Sequence, residues 1–193
     1  MISENKTKLR KLLISDRKQM SKEVKETADV KVFDFLVSSE KFAECENLLC
    51  YVSTEIEVDT IRIIEYSLRN GKNVFVPKCA SKGNAMTFHR ISSLDSLVEG
   101  MYGILEPDES LLPFDGNDKK NTVCIVPALS YNELGMRLGY GKGYYDRFLS
   151  ENEKVYPIGL CYSKFIRNDI PTDKHDKPVK MIITEERIIK TEV

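Results

Sequence analysis

The sequence predicts an α/β protein: a three-layer α/β/α sandwich with a mainly parallel, Rossmann-like central sheet. About six or seven short apolar runs alternate with helical segments along the chain. Residues 48–77 form one strand–helix–strand unit of about 30 residues, the length expected for a parallel strand pair. The 193 residues, 41% of them hydrophobic, are enough for a core without disulfides or a structural metal. We therefore expect a single domain over residues 1–193.

Two amphipathic helices are predicted at the start of the chain. Leu9, Leu12 and Leu13 share one face of the first helix. Ser21 is the expected N-cap of the second helix, because its hydroxyl can accept from a first-turn amide. The apolar stripe of that helix comprises Val24, Ala28, Val32, Phe35 and Leu36. Both stripes are expected to pack on the sheet.

The strand–helix–strand unit follows these helices. The run 48–52 is the first strand, and the Asp59 carboxylate is expected to cap the next helix, which Asn70 and Gly71 end. The second strand is the run 74–76, which Pro77 is expected to close.

The remaining elements surround a less regular middle section. Residues 103–107 and 115–121 have turn-rich compositions and are expected to form loops over a ligand. Strands are predicted at 85–90, 122–126, 155–160, 181–184 and 187–190, and a helix at 144–149.

Composition excludes several classes of protein. The 29 basic residues balance 30 acidic ones, a near-neutral charge that argues against nucleic-acid binding. No apolar run reaches the roughly 18 residues of a membrane span, and the first residues lack the apolar core of a secretion signal, so we expect a cytoplasmic protein without membrane contacts. Five cysteines without a C-x-x-C motif, and two histidines, favour free buried thiols over disulfides or zinc. Any metal is expected to have oxygen ligands, and the protein is expected to be a monomer.

The most informative segment is residues 135–147, which we call the glycine loop. Three alternate glycines at 139, 141 and 143 let the backbone turn through positive φ and direct successive amides at one anion. Lys142 adds a mobile charge and Arg137 a planar fork, while the helix that begins near Tyr144 offers its positive end. The loop predicts a phosphate cradle for a nucleotide.

The spacing of this loop differs from two common phosphate-binding motifs. Lys142 precedes Gly143 rather than Ser or Thr, so the segment is not a Walker A loop. The pattern G-x-G-x-G also differs from the dinucleotide motif G-x-G-x-x-G. A glycine-rich surface turn is the structural alternative. Asp146, at the helix start, is either a partner of the helix dipole or a Mg²⁺ ligand beside the phosphates.

The run RLGYGKGYYDR at residues 137–147 resembles the hallmark of the 5-formyltetrahydrofolate cyclo-ligase family, also called methenyltetrahydrofolate synthetase. Further segments similar to that family occur in the same order along the chain. They are KTKLR at 6–10, EVDT at 57–60, GILEP at 103–107, and HD at 175–176 before IITE at 182–185.

This resemblance implies an enzyme that cyclises 5-formyltetrahydrofolate to 5,10-methenyltetrahydrofolate with ATP and Mg²⁺, releasing ADP and phosphate. It implies charge neutralisation during catalysis by Lys142 and Arg137, and metal ligands at Asp146 and Asp176. The implied ATP positions are Lys6, Thr7, Lys8, Leu9 and Arg10, with Arg137, Leu138, Gly139, Tyr140, Gly141, Lys142, Gly143, Tyr144 and Tyr145. The implied folate positions are Val52, Glu57, Tyr140, Gly141, Lys142, Gly143 and Tyr144.

Apart from the resemblance, several of these residues have structural interpretations. Lys6 and Arg10 lie at helical spacing and fit a solvated basic face. Glu57 fits a first-turn helix acid. His175 fits a capping or packing role, and Asp176, like Asp146, fits either a partner of a helix dipole or a Mg²⁺ ligand. The alternative function is a noncatalytic nucleotide- or RNA-binding module that uses the glycine loop.

Overall fold

A computed structural model describes residues 2–80, 85–100, 103, 105–116 and 121–191. Parts of both predicted loops, Ile104 and 117–120, lie outside the described residues. The α-helices are α1 (Ile2–Lys18), α2 (Lys22–Ser38), α3 (Glu40–Glu44), α4 (Ile61–Arg69) and α5 (Tyr144–Glu151). The strands are β1 (Asn47–Leu49), β2 (Asn73–Cys79), β3 (Met86–Ile91), β4 (Leu97–Glu99), β5 (Leu105–Pro107), β6 (Thr122–Val126), β7 (Ser130–Tyr131), β8 (Arg137–Leu138), β9 (Tyr156–Leu160), β10 (Met181–Ile183) and β11 (Ile188–Lys190).

The central sheet has seven strands in the order β11-β10-β9-β6-β1-β2-β3. Its five inner strands are parallel, and the two edge strands β3 and β11 are antiparallel to their neighbours. The chain moves outward from β1 through β2 on one side and from β6 through β9 on the other. The strand order therefore reverses between β1 and β6, where open α/β sheets bind ligands at the carboxyl ends of the strands. The predicted α/β/α fold with a mainly parallel sheet is confirmed.

The core lies on the central strands. All five residues of β6 and all three residues of β1 and of β10 are buried. Continuous burial is expected for parallel strands that are covered on both faces, and their sequences are correspondingly apolar without alternation. Four of the five cysteines are buried, Cys79 is half-buried, and all five are free thiols, as predicted.

The two N-terminal helices follow the prediction except at two stripe positions. Ser21 is the N-cap of α2, and its hydroxyl accepts from the Val24 amide at 3.3 Å. Leu13 is buried, but Leu12 is half-exposed, because α1 packs on the sheet through a narrower face than the sequence suggests. Val24 is exposed as well, since it lies in the first turn of α2, before the helix reaches the sheet. No helix among the described residues is long and apolar enough to span a membrane.

The strand–helix–strand unit is present, but its boundaries differ from the prediction. β1 ends at Leu49 instead of residue 52, and α4 begins at Ile61, whose amide donates to the Asp59 carboxylate at 2.9 Å. β2 continues through Pro77 to Cys79. The Phe75 carbonyl accepts from Cys50, and peptide groups alternate sides, so the Pro77 nitrogen faces the side where β1 has already ended. Proline is tolerated there because no ladder partner needs its missing amide hydrogen.

Two small hairpins were not predicted. Part of the segment expected to be a loop forms β5, which pairs antiparallel with β4. β7 and β8 form a two-residue ladder, and β8 is the first part of the glycine loop with regular structure. Strands of two or three residues carry too few side chains to show a periodic pattern, so only pairing in the folded chain defines them.

Candidate active site

A cavity of about 870 Å³ opens at the carboxyl ends of the central strands. Its walls come from the segment after β1, the proline after β6, the glycine loop, the N-terminal part of α1, and residues 173–176. This position agrees with the reversal of strand order between β1 and β6. The volume is near the upper end of the range of about 300–1,000 Å³ for small-molecule sites, which fits a site for more than one small ligand.

The glycine loop enters this cavity from β8 and leaves it as α5. Gly141 has φ +102° and Gly143, the N-cap of α5, has φ +66°. Gly139 does not adopt positive φ, so the expectation that all three glycines would do so was wrong for this one. The Arg10 side chain lies against Gly141, where an added Cβ would be 3.0 Å from the guanidinium carbon, and donates to the Gly139 carbonyl at 2.9 Å. Arg10 thus packs α1 onto the loop.

One end of the cavity, which we call the charged end, contains two ion pairs. The Lys6 ammonium is 2.6 Å from the Asp176 carboxylate. The Arg137 guanidinium is 2.7 Å from Asp146 and also donates to the Lys177 carbonyl. The Lys177 amide donates to Asp146 at 3.0 Å, and because this amide belongs to the peptide bond after Asp176, the two aspartates are neighbours in space. The charged end therefore brings together two residues that the sequence associated with ATP, Lys6 and Arg137, and both expected metal ligands, Asp146 and Asp176.

The donor set at this end suits Mg²⁺. In both carboxylates one oxygen accepts all the contacts, Oδ1 in Asp146 and Oδ2 in Asp176, and within the described residues the other oxygen has no protein partner. The described residues contain no cluster of three or more His, Cys, Asp or Glu side chains that would form a metal cage. Mg²⁺ is usually held by one or two carboxylates with phosphate oxygens and water, so two half-free carboxylates fit it.

Lys142 is placed differently from the other cations. Its side chain is exposed and, among the described residues, has no ion pair or hydrogen bond. The Arg147 side chain, which lies in α5, donates to the backbone carbonyl of Lys142 at 2.8 Å and leaves the Lys142 ammonium untouched. Among the described cations of the site, Lys142 is therefore free to follow a moving phosphate. Arg137 is held in place by its ion pair with Asp146 and orients that carboxylate.

The other end, which we call the Glu57 end, is more enclosed. Glu57 is buried, and its Oε2 accepts from the amide and hydroxyl of Thr54 at 2.9 and 2.8 Å. The Tyr140 hydroxyl interacts with the same carboxylate. Burial is the main reason why the pKa of Tyr140 is well above its usual value, and the negative charge of Glu57 adds to that rise. Val52 is also buried in this wall.

A buried hydroxyl lies beneath this end of the cavity. Tyr145 packs edge-on against Phe88 with ring centroids 6.3 Å apart. Its buried hydroxyl has no hydrogen-bond partner in the part of the chain that the structure describes. Burial raises the pKa of this hydroxyl, and Glu57 and Cys79 are among the smaller causes. An unpaired buried hydroxyl is costly, so a ligand group in the cavity would stabilise it.

Arg17 holds the Glu57 end from behind. It is buried, and its guanidinium donates to the carbonyls of Ile56, Ala128 and Leu129 at 2.8, 3.0 and 3.0–3.2 Å. It also lies 4.7 Å from the centre of the Phe165 ring. The turn that carries Glu57 is thereby joined to the segment after β6. No pattern in the sequence singled out Arg17, because a basic residue on a helix normally indicates a solvated position.

The structure brings together most of the predicted site residues. Lys6, Arg10, Val52, Glu57, Asp146 and Asp176 all line the cavity with residues 137–145 of the glycine loop. Thr7, Lys8 and Leu9 do not line it, because a helix presents positions four apart on one face. Sequence reasoning missed three lining residues on the opposite wall, which are Pro77, Cys79 and Met86. Leu105 and Glu106 also line this wall, and they lie in segment 103–107, which was expected to pass over a ligand but was given no individual site residues.

Comparison with known proteins agrees with this geometry. The model of the 5-formyltetrahydrofolate cyclo-ligase family matches residues 2–185. A Caenorhabditis elegans protein described as a probable 5-formyltetrahydrofolate cyclo-ligase is 31% identical, with 95% of this chain and 94% of that one covered. The Saccharomyces cerevisiae 5-formyltetrahydrofolate cyclo-ligase is also 31% identical, over 73% of this chain and 76% of its own.

A solved structure supports the same assignment. The NMR structure of Aquifex aeolicus 5,10-methenyltetrahydrofolate synthetase superposes with a TM-score of 0.83 at 30% identity, covering 97% of this chain and 93% of the other. The sequence match and the fold thus point to one group of folate enzymes. The chain belongs to the 5-formyltetrahydrofolate cyclo-ligase family and is an enzyme of that family.

Proposed function

We propose that the protein converts 5-formyltetrahydrofolate and ATP to 5,10-methenyltetrahydrofolate, ADP and phosphate, with Mg²⁺, as a single-domain cytoplasmic monomer. One observation carries the proposal: a single cavity contains a cation-rich glycine loop with two carboxylates at one end and the buried Glu57 at the other. ATP phosphates fit the charged end, and the folate ring system fits the more enclosed Glu57 end.

The role of ATP follows from the chemistry of the formyl group. An N-formyl carbon is a poor electrophile, because the nitrogen lone pair is delocalised into the carbonyl. In the first step the formyl oxygen attacks the γ-phosphorus, the bond to the β–γ bridging oxygen breaks, and ADP leaves. The formyl oxygen is now part of a phosphate ester, which makes the carbon electrophilic and the oxygen a good leaving group.

Ring closure completes the reaction. N10 of the folate attacks the activated carbon and loses its proton, and the C–O bond then breaks to release phosphate. The product is the 5,10-methenyl cation. No covalent bond to the protein forms, which is consistent with the absence of a nucleophile–base pair in the motifs of this sequence.

The protein contributes position and charge. Phosphoryl transfer depends mostly on alignment and on neutralising the charge that develops on the phosphoryl oxygens. Lys142 has no partner among the described residues and can move with the γ-phosphoryl group, and the N-terminal end of α5, which follows it, favours an anion. Arg137 orients Asp146, while Lys6 and Arg10 bring α1 to the loop. Asp146 and Asp176 would hold Mg²⁺, which would supply charge neutralisation on the phosphates.

The alternative of a noncatalytic nucleotide- or RNA-binding module has less support. It was based on the glycine loop and basic N-terminal residues alone, and the near-neutral net charge argues against a polyanion partner. Lys6 and Arg10 are engaged with Asp176 and the Gly139 carbonyl, so they do not form a free basic surface.

An absorbance assay tests the proposal. The methenyl product contains a conjugated amidinium that the substrate lacks, so turnover produces absorbance in the long ultraviolet. We expect this signal with 5-formyltetrahydrofolate, ATP and Mg²⁺, and none when ATP is omitted, replaced by a non-hydrolysable analogue, or deprived of Mg²⁺ by a chelator. Product formation that does not depend on ATP, or no product in the complete mixture, would contradict the proposal.

A further inference from the structure

Glu106 is a buried carboxylate in the cavity wall for which nothing above provides a role. It is 8% exposed and lies on β5, opposite Val98 in the small sheet formed with β4. Its side chain lies over Gly100, where an added Cβ would be about 2.5 Å from the Glu106 side chain. The absence of a side chain at Gly100 therefore makes room for Glu106 beside the cavity.

This carboxylate has no protein partner among the described residues. No hydrogen bond or ion pair reaches it, although a buried carboxylate is normally paired. Lys78 is the nearest basic residue along β2, and its ammonium donates to the Pro107 carbonyl and approaches Glu109 at 3.8 Å. Among the described residues, the fully enclosed side-chain polar atom without a partner is the Tyr145 hydroxyl, so the Glu106 oxygens open to the cavity and can accept from a ligand there.

The surroundings of Glu106 belong to the Glu57 end of the cavity. The wall beside it consists of Pro77, Cys79, Met86 and Leu105, most of them apolar. β2, which carries Pro77 and Cys79, lies next to β1, the strand that leads to Val52 and Glu57. The described cations of the cavity come from α1 and the glycine loop instead.

The Tyr145 hydroxyl is a second group at the cavity without a partner in the described part of the chain. Glu57, Tyr145 and Glu106 all line the cavity, as does Cys79. Burial raises the pKa of the Cys79 thiol, and the charge of Glu106 contributes to that rise, in agreement with their shared wall. Of the three polar groups, the Tyr145 hydroxyl and the Glu106 carboxylate therefore lack protein partners among the described residues.

The charge of Glu106 determines which ligand group fits it. ATP phosphates and the glutamate carboxylates of folate would be repelled by a buried negative charge, whereas N–H groups would satisfy it. Folate contains such donors on the pyrimidinone edge of its pterin, the 2-amino group and N3–H. Glu57 is less available to that edge, because Thr54 donates twice to one of its oxygens and Tyr140 lies beside it.

We propose that Glu106 binds the 2-amino and N3–H edge of the pterin and so determines specificity at the inner end of the folate site. This inference rests on the proposed function for the identity of the substrate. Adenine also carries an amino group, so the test must distinguish the folate from ATP.

Direct binding measurements test this assignment without turnover. Calorimetry would compare the wild type with Glu106→Gln, which keeps the shape and removes the charge, and with Glu109→Gln, an exposed glutamate close by in the chain. We expect Glu106→Gln to weaken 5-formyltetrahydrofolate binding by about ten-fold or more, as for loss of a charged hydrogen bond. ATP binding should stay within about two-fold of wild type, and Glu109→Gln should change neither ligand.

A substrate analogue identifies the group that Glu106 contacts. A 5-formyltetrahydrofolate that lacks the 2-amino group should bind the wild type more weakly than the normal substrate. Glu106→Gln should bind the two with similar affinity, because the contact is already lost. Without ligand, Glu106→Gln should melt close to the wild-type temperature, because the substitution removes no contact with the described residues.

Three outcomes would overturn the proposal: folate affinity of Glu106→Gln within two-fold of wild type, a fall in ATP affinity instead, or an analogue that loses equal affinity for both proteins. If Glu106→Gln does not fold, Glu106→Met, apolar and similar in length, replaces it in the same measurements. A wild type that binds folate but forms no methenyl product would contradict the proposed function and leave the binding result to decide on Glu106.

Discussion

The two ends of the cavity solve the problem of buried charge in opposite ways. At the charged end, Lys6 and Arg137 neutralise Asp176 and Asp146, so the site is paired before any ligand enters. At the Glu57 end, the Tyr145 hydroxyl and the Glu106 carboxylate have no partner among the described residues. The difference indicates that binding exchanges partners at the charged end, whereas it supplies missing partners at the other.

The two ends also differ in how they are held. The centre of the glycine loop, residues 140–142, is exposed, and Lys142 has no partner among the described residues. The turn that carries Glu57 is fastened from behind by the buried Arg17. We infer that the glycine loop adjusts to the reacting phosphate, while the wall at the Glu57 end stays rigid. The substitutions below test each part of that contrast.

Lys142→Ala removes the mobile charge and has the largest expected effect. Its charge is needed most when the phosphoryl group is between oxygens, so kcat should fall by about two to three orders of magnitude. ATP binding should weaken only modestly, because the backbone amides remain. Single-turnover kinetics with calorimetric ATP titration separate the two quantities, with exposed Lys154→Ala as the control. A variant with normal kcat and weak ATP binding would contradict a catalytic role for Lys142.

Arg17→Leu removes the side chain that joins the turn carrying Glu57 to the segment after β6. Three buried carbonyls lose their donor, and each unsatisfied group costs about 1–3 kcal/mol, so we expect a loss of about 3 kcal/mol of unfolding free energy after relaxation. Urea denaturation measures it, and Arg69→Leu on the exposed face of α4 is the matched control. A loss no larger than that of the control would mean that Arg17 does not hold this wall.

Glu57→Gln should weaken folate binding rather than ATP binding. The Glu57 oxygen that Thr54 leaves free can accept from a folate N–H other than the 2-amino and N3–H edge assigned to Glu106, whereas an amide offers one acceptor and one mismatched donor, a difference of about 1.5–3 kcal/mol or roughly 10- to 150-fold in affinity. The folate KM should rise accordingly. Glu55→Gln, an exposed glutamate in the same turn, should leave it unchanged. If ATP affinity falls instead, Glu57 belongs to the nucleotide side.

Asp146→Asn tests the paired end. A neutral amide oxygen is a poorer ligand for a hard dication, so the Mg²⁺ concentration for half-maximal activity should rise by about ten-fold or more. The substitution also leaves the Arg137 charge unneutralised, which should lower stability measurably. Asp176→Asn should act in the same direction. Asp169→Asn, whose exposed carboxylate pairs with Arg167, is the control, and an unchanged Mg²⁺ response in Asp146→Asn would exclude the ligand role.

Gly141→Ala has the smallest expected effect and tests the shape of the loop. Its φ of +102° is strained for any L-residue, and an added Cβ would approach Arg10, so ATP affinity should fall by about 1 kcal/mol. Gly139→Ala should cost less, because that residue has no positive φ and an added Cβ would meet nothing within 4 Å. Calorimetric ATP titration of both variants gives the comparison. Equal losses would show that the conformation of Gly141 does not matter.

The sequence alone was sufficient for the fold class and for singling out the glycine loop, whereas the charged end was expected from the family resemblance. Buried parallel strands are nearly continuous apolar runs, so β6 and β9 were visible in the sequence. Gly141 and Gly143, with Lys142 between them, combine positive φ with charge in one short segment, which is a local property. Lys6 and Arg10 lie at helical spacing, so their shared face was also readable.

Only the tertiary structure decided how the charges are paired and which polar groups are buried. Arg17 and Glu106 are ordinary charged residues in the sequence, and their roles depend on contacts with segments far along the chain, such as Ala128 for Arg17 and Cys79 for Glu106. Local propensity reflects the backbone conformation of neighbouring residues, whereas the energy of a buried charge depends on every group that surrounds it in space. The sequence by itself therefore determined the α/β fold and the glycine loop, and the folded chain alone determined the Arg17 support and the Glu106 carboxylate, which has no partner among the described residues.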